Sequence, residues 1–226
     1  MREPRRLISS GYTTVDVLTN GSLRVAPGGT AANVARAAKS LGWDTAIVGT
    51  VGDDPAGQFL GEKLESLGID TRGLGRDRSW TTPVLVQEAH RGDHRWRFRC
   101  PVCNTRFASH RPPSASEANE TVRSIFAPDV FFFDRVSRYT LALARAWSDA
   151  GAFVVFEPST IGTPHLFDEA VELADLIKFS GQRAGAFATR LKHHAGTMVQ
   201  TLGAAGAKYR AAGAESWTFV EGNPVS

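Results

Sequence analysis

Side chains able to bind or transform a polar small molecule gather at a few places in the sequence. Asp16 lies in the alternating stretch "GYTTVDVL", and Gly28 and Gly29 stand in front of "TAANVARAAKSLG", with Asn33 four residues after the second glycine. Cys100 and Cys103 form one CxxC, and Thr201, Gly203 and Gly206 lie in "TLGAAG". Glycine has no Cβ, so backbone can pass close to a ligand, and the free N–H groups of a helix start donate to hydroxyls or anions. An Asn side chain both donates and accepts, which suits a sugar hydroxyl. Taken alone, the glycine pair is equally a turn, and Asn33 a polar residue on a helix surface. The CxxC spacing is that of half a zinc site. His94 and His110 in "HRWRFRCPVCNTRFASH" offer a third and fourth ligand, or the cysteine pairs of two chains meet across a two-fold axis; redox pairing and inert thiols are the other readings.

These residues need a scaffold, and 226 residues with 42% hydrophobic and 22% charged side chains allow a single globular unit over 1–226. No apolar run approaches the roughly 18 residues of a membrane span, and the basic start "MREPRRLISSGY" has no apolar segment of a secretory signal behind it, so the cytoplasm is the expected location. The formal charge is only +3, yet positive residues cluster between Arg91 and Arg111. With no nucleic-acid reader motif beside them, they read as a solvated strand face rather than a nucleic-acid surface. Two cysteines in one CxxC argue against a disulfide-built scaffold.

From Ala26 onward helix-like and strand-like segments alternate. "TAANVARAAKSLG" carries small and apolar residues at helical spacing and stops at Gly42, "TAIVGTVG" reads as a buried strand, and Asp54 with Pro55 opens the next helix. The pattern recurs in "DVFFFD", "SRYTLALARAWSDAG", "AFVVFEP", "PHLFDEAVELA", "DLIKFS" and "TMVQTLG". Strands apolar on both faces between amphipathic helices predict an α/β fold, a parallel sheet covered on both sides. Two alternating segments, at about 12–26 around "TNGS" and about 80–99 around "HRGD", predict hairpins of a small β-layer, with the CxxC segment at 100–103 directly after. Such a layer can close over a ligand at the carboxyl ends of the strands. "SHRPPSASEANE" reads as a Pro/Ser linker into a helix.

The string "GGTAANVARAAKSLGWDTAIVGTVGDDPAGQFLGEKLESLGIDTRGL" resembles the PfkB/ribokinase family of carbohydrate kinases. Further pieces fall in that family's order: "GYTTVDVL" resembles its N-terminal strand with the substrate-binding aspartate, "ADLIKFSGQ" its strand toward the phosphate and metal region, and "MVQTLGAAGAKYR" its nucleotide segment. The resemblance implies a ribokinase-like, doubly wound, mostly parallel sheet with a small β-lid, and transfer of the ATP γ-phosphoryl group to a hydroxyl of a sugar or nucleoside with Mg²⁺. It implies that Asp16, Gly28, Gly29 and Asn33 bind the sugar, that Ser180, Arg183, Thr201, Gly203 and Gly206 lie along the nucleotide, and that the protein is a homodimer joined through the lid. Zn²⁺ at Cys100 and Cys103 is no part of that reaction.

Two departures from the family pattern stand out. Where an Asn and, three residues later, a Glu are expected, the chain has Ser180 and then Gln182 and Arg183. An arginine can touch a phosphate but does not attract Mg²⁺ as a carboxylate does. The Gly-Ala-Gly-Asp motif with the family's catalytic aspartate is absent from residues 1–226; it is expected beyond Ser226, so the chain reads as truncated at its C-terminal part and inactive by itself. The alternative is a non-catalytic sugar-binding or zinc-assembled interaction protein. Asp129, Asp134 and Glu157 read as strand-end residues without an assigned role, His193 and His194 as a solvated helix end, and Trp43, Trp147 and Trp217 as packing residues.

Overall fold

The computed structural model describes residues 3–19, 22–90 and 93–223. The chain opens with β1 (Arg6–Ser10), folds the hairpin β2 (Thr14–Thr19) and β3 (Leu23–Gly28), and enters α1 (Thr30–Ser40). It continues through β4 (Asp44–Gly52), α2 (Pro55–Ser66), β5 (Leu74–Asp77) and a second hairpin, β6 (Val84–His90) and β7 (Asp93–Arg97). Then come α3 (Ala118–Ser124), β8 (Val130–Phe133), α4 (Arg138–Asp149), β9 (Phe153–Phe156), α5 (Pro164–Leu173), β10 (Leu176–Ser180), α6 (Ala184–Leu191), β11 (Thr197–Thr201), β12 (Gly206–Arg210) and β13 (Thr218–Glu221).

Among the described residues, nine strands form one sheet in the order β13-β12-β11-β10-β9-β8-β1-β4-β5. Its pairs are parallel from β11 to β5, and β12 and β13 add to the edge in antiparallel fashion. The two expected hairpins meet in a second sheet, β3-β2-β6-β7, through the parallel pair β2 and β6. The N-terminal strand of the large sheet is β1, which the sequence reading did not single out, while "TVDVLT" is β2 of the small sheet, within the hairpin expected at about 12–26. β1 escaped notice because its second half is polar: Ser9 and Ser10 are buried between β4 and β8.

Local chemistry explains the elements that hold the site. α1 buries Ala31, Ala32, Ala35 and Ala38, whose small side chains let the helix lie close against the sheet, and the chain leaves it through Gly42 at φ 83°. Asp54 caps α2 by accepting from Gly57 N at 2.8 Å, and the same carboxylate accepts from Thr82 N at 2.8 Å and Thr82 Oγ1 at 2.7 Å. It thereby ties α2 to the segment that enters the small sheet. The core on the other side of β8 is aromatic. Phe131 meets Trp147 edge-on at 4.7 Å, Phe133 stacks on Phe156 at 4.7 Å, and the row continues through Phe167 to Phe187. Each of these rings is fully buried, and burial of one such side chain contributes about 1.5–3 kcal/mol. Trp147 is therefore core, as expected, while Trp217 stays partly exposed beneath the Lys208 ammonium, 4.9 Å from its ring centre.

Candidate functional site

The residues expected to bind a sugar converge where the small sheet meets α1. Asp16 sits in β2 opposite Ala26 of β3 and beside Leu85 of β6, and its carboxylate is buried, accepting from Thr14 Oγ1 at 2.6 Å. Burial raises its pKa above the ordinary aspartate value, against the pull of the Thr14 hydroxyl and the positive charge of Arg36. The carboxylate lies directly over Gly28. A Cβ on that glycine would come within 2.0 Å of Asp16 Cγ and 2.1 Å of both oxygens. Gly29 has φ 81°, and a Cβ there would meet the Tyr12 carbonyl oxygen at 2.2 Å. The two glycines thus make room for protein atoms as well as for a ligand. The start of α1 is also only partly free, because Ala31 N donates to Tyr12 O at 3.1 Å. Asn33 is exposed on the first turn of α1, where Arg36 Nη1 donates to its Oδ1 at 3.4 Å and to Pro27 O at 2.9 Å. Arg36 therefore joins Asn33 to the Gly28–Asp16 contact.

A second carboxylate supports this corner from the large sheet. Asp134, directly after β8, is 2% exposed; its Oδ1 accepts from Tyr12 N at 2.8 Å and its Oδ2 from Arg135 Nη1 at 2.6 Å. Thr30 at the start of α1 donates its hydroxyl to the same group. Burial pushes the Asp134 pKa up to about 6, opposed mainly by Arg135. Gly11, at φ 132°, passes so close that a Cβ would lie 1.9 Å from Asp134 Oδ1. Asp134 is a positioning residue: it fixes the Gly11–Tyr12 backbone that in turn receives Gly29 and Ala31.

Next to it lies a cavity of about 530 Å³ whose lining includes Tyr12, Phe98, Arg106, His110, Arg135 and Thr160. The Arg135 guanidinium covers the Tyr12 ring at 4.7 Å. His110 Nε2 is buried without a partner among the described residues, and burial, with Arg135 beside it, lowers the His110 pKa to about 4, which leaves a neutral imidazole at pH 7.

The expected nucleotide residues gather elsewhere on the same edge. Ser180 ends β10 and Thr201 ends β11, paired with each other in register. After Ser180 a short turn holds the exposed Arg183 in front of α6. Gly203 has φ 63° with open space around its Cβ position, whereas Gly206, at φ 108°, would place a Cβ 2.2 Å from Val220 O and so has a packing reason of its own. Between the two groups, Glu157 after β9 pairs with Lys178 of β10, Oε1 to Nζ 2.5 Å. Gly11, Asp134, Glu157, Ser180 and Thr201 all stand at the carboxyl ends of adjacent parallel strands, the edge at which open α/β sheets bind ligands.

The cysteines lie outside this edge, on a hairpin that extends from β7. Phe107 N donates to Phe98 O at 3.0 Å and Cys100 N to Thr105 O at 2.9 Å; Asn104 N closes the Cys100–Cys103 turn onto Cys100 O at 3.0 Å, with Asn104 at φ 58°. Cys103 is exposed, and its thiol donates to Thr105 Oγ1 at 3.3 Å. Hydrogen bonds with Thr105, its side chain first, lower the Cys103 pKa to about 7. The expected set of two cysteines and two histidines is not formed. His110 is turned into the cavity against Arg135, and the described residues contain no group of three metal-binding side chains. The His94 side chain lies outside the described residues. His194, expected in solvent, is buried instead.

The family model for pfkB family carbohydrate kinases matches residues 5–220, and the chain belongs to that family. It is 30% identical over 183 residues to a fructokinase of Klebsiella pneumoniae, covering 75% of this chain and 58% of that one. A fructokinase of Escherichia coli gives 30% over 182 residues, with the same two coverages. The chain thus spans a little under three fifths of the length of these curated relatives. Among solved structures, the fold is shared with aminoimidazole riboside kinase of Salmonella enterica complexed with aminoimidazole riboside and an ATP analogue, at TM-score 0.73 and 22% identity over 98% of this chain and 78% of that one. A Vibrio cholerae fructokinase variant bound to fructose, ADP and potassium gives 0.73 at 24% identity, over 98% and 77%.

Sequence reasoning did not single out Tyr12, Arg36 or Arg135, and read Arg106 only as part of a solvated basic run. Arg36 had a signal, since it lies one turn after Asn33 on the same helix face. Asp134 and Arg135 follow an apolar strand, which is where the ligand edge of a parallel sheet falls.

Proposed function

We propose that this chain carries the acceptor side of an ATP-dependent sugar or nucleoside kinase of the cytoplasm. The observation that supports it most directly is the buried Asp16 carboxylate seated on Gly28, with Gly29 and Asn33 opening α1 beside it. A carboxylate accepts hydrogen bonds from two neighbouring hydroxyls, and Asn33 both donates and accepts, so the pair reads a polyol face. Asp134 keeps the Tyr12 loop in place while that face is bound.

On the donor side, Ser180, Thr201 and Arg183 offer two hydroxyls and a guanidinium to phosphate oxygens, and Gly203 leaves backbone open to approach. ATP supplies the phosphoryl group when bound there. Where the family carries a Glu this chain has Gln182 and Arg183, and the Glu157 carboxylate is tied to Lys178, so these residues do not fit the carboxylate that usually holds Mg²⁺ beside a phosphate. No step is assigned to Mg²⁺ through the described residues. The proton acceptor for the sugar hydroxyl is the aspartate of the Gly-Ala-Gly-Asp motif that residues 1–226 lack, so these residues bind a sugar without turning it over. The lid-side homodimer belongs to the same proposal.

Calorimetry of the 226-residue chain with fructose, ribose and a purine nucleoside, each with and without ATP and Mg²⁺, tests this. Sugar or nucleoside binding that Asp16→Asn removes is expected, with no ADP released. Absence of any such binding, or binding indifferent to Asp16→Asn, overturns the acceptor assignment. ADP formation by residues 1–226 overturns the missing-base argument.

A further inference from the structure

The kinase reading leaves Cys100 and Cys103 without a use, yet their hairpin is built with care. The Asn104 N to Cys100 O bond closes the turn that carries both cysteines, and Asn104 takes the left-handed conformation, φ 58°, that lets the chain reverse directly after the second cysteine. Below the turn, the Cys100–Thr105 and Phe98–Phe107 backbone bonds and the Arg99–Arg106 bridge hold its two arms together. The sulfurs lie close enough for a thiol–thiol hydrogen bond. Two thiolates on one such turn chelate a soft metal and fill two of four tetrahedral positions.

Nothing described in the chain fills the other two. No third metal-binding side chain joins the cysteines among the described residues, and the tip points outward, with Val102 93% exposed. A structural zinc site is closed by four protein ligands. We propose that Cys100 and Cys103 form half of a zinc tetrathiolate site, and that the same two cysteines of a second copy of this chain complete it. One zinc then joins two chains at the tips of their hairpins.

Charge favours this occupant. One Zn²⁺ with four thiolates carries a net charge of about −2. Each copy brings Arg99 to the turn, where its Nη1 donates to Asn104 O at 2.9 Å, and this guanidinium has no carboxylate partner among the described residues. Without metal, two such tips repel each other; with the tetrathiolate between them, the two Arg99 side chains are its counter-charges. A two-fold axis through the metal supplies the missing ligands with no further residue required. Val102 and the half-exposed Phe98 add apolar surface beside the contact. The metal also bears on the acceptor site as read above, because Phe98 and Arg106 on the hairpin arms line the cavity that Tyr12 and Arg135 share.

The full 226-residue chain, expressed without a metal-binding tag and loaded with zinc, is the material for the test. Metal analysis with native mass spectrometry is expected to find one zinc per two chains, in a dimer. A chelator, or Cys103→Ser, is expected to give a zinc-free monomer whose circular dichroism matches that of the dimer. Cobalt in place of zinc should show the strong visible absorption of a tetrahedral four-thiolate centre. Both thiols should resist a thiol reagent in the zinc-loaded protein and react after chelation. One zinc per chain in a monomer overturns the proposal. So does a dimer that survives both the chelator and Cys103→Ser, failure to retain zinc, thiols equally reactive with and without zinc, or a Cys100–Cys103 disulfide in the purified chain. A Cys103→Ser protein that fails to fold leaves the thiol-protection and cobalt measurements on the unaltered chain to decide. None of these outcomes depends on sugar binding, so the zinc proposal and the acceptor-site reading fail separately, and a dimer that persists without zinc would keep the lid-side homodimer while overturning the zinc site.

Discussion

The two ends of the candidate cleft are built differently. At the Asp16 end the backbone is fixed from two sheets at once: Asp134 from the large sheet holds Tyr12, Tyr12 O receives Ala31, and Gly28 and Gly29 have no space for a Cβ. At the Thr201 end the outer strand β13, beyond β12, is exposed at each of its four positions, Phe219 is 57% and Val220 51% exposed, and Gly203 has nothing near its Cβ position. One end is shaped before any ligand arrives, and the other has backbone in place but little packed around it. Preorganisation of this kind lowers the ordering cost of binding, so the Asp16 end is where these residues should bind most selectively.

The comparison breaks first at the glycines. Gly29→Ala must displace the Tyr12 carbonyl and adopt φ 81°, and it is expected to destabilise the chain by on the order of 3 kcal/mol in urea denaturation. Gly203→Ala meets only the unfavourable φ of 63°, and about 1 kcal/mol is expected. Equal effects would remove the distinction between the two ends. Asp16→Asn should lower sugar affinity about 100-fold while the melting temperature changes little, since it removes a charged acceptor from the site and leaves the shape. A large loss of stability without loss of affinity would make Asp16 structural.

A smaller effect, on the order of 1–2 kcal/mol, separates two groups that face Arg135. Asp134 holds its proton more tightly when folded, pKa about 6 against an ordinary 3.8, so its contribution falls as pH rises from about 4 to 6. His110 does the reverse: with a folded pKa of about 4 against 6.5, it loses stability as pH falls through that window. Urea midpoints at pH 4.5 and 6.5 should therefore shift in opposite directions in the two variants. Asp134→Asn is expected to be relatively weaker at the lower pH than the unaltered chain, and His110→Gln relatively stronger. Identical pH slopes in all three proteins would show that neither group is buried as described. Smallest of all is Phe219→Ser, expected to change stability by less than about 0.5 kcal/mol because the ring is mostly in solvent already.

Much of this was legible from local pattern. The Ala-rich helix ending at Gly42, Asp54 as the cap of α2, and the hairpins around "TNGS" and "HRGD" all follow from period and turn chemistry, and they are the elements that carry Gly28, Gly29 and Asn33. β1 was not legible, because strand recognition rests on apolar runs and Ser9 and Ser10 are buried hydroxyls. One reading offered His110 as a metal ligand from its nearness to the CxxC in sequence, yet the hairpin leaves Cys103 exposed and the chain beyond it carries His110 into the cavity with Arg135.

The sequence by itself determined the α/β class, the two-layer plan and the glycine pair in front of α1, because periodicity, capping and glycine requirements act over a few neighbouring residues. Only the tertiary structure decided that Asp134 supports Tyr12 across 122 positions, that Arg36 bridges Asn33 to the Asp16 contact, and that Cys103 is exposed and Cys100 half-buried with no third ligand among the described residues. Those contacts join segments far apart along the chain, and their distances are fixed by the sheet order and by burial, which no local pattern records.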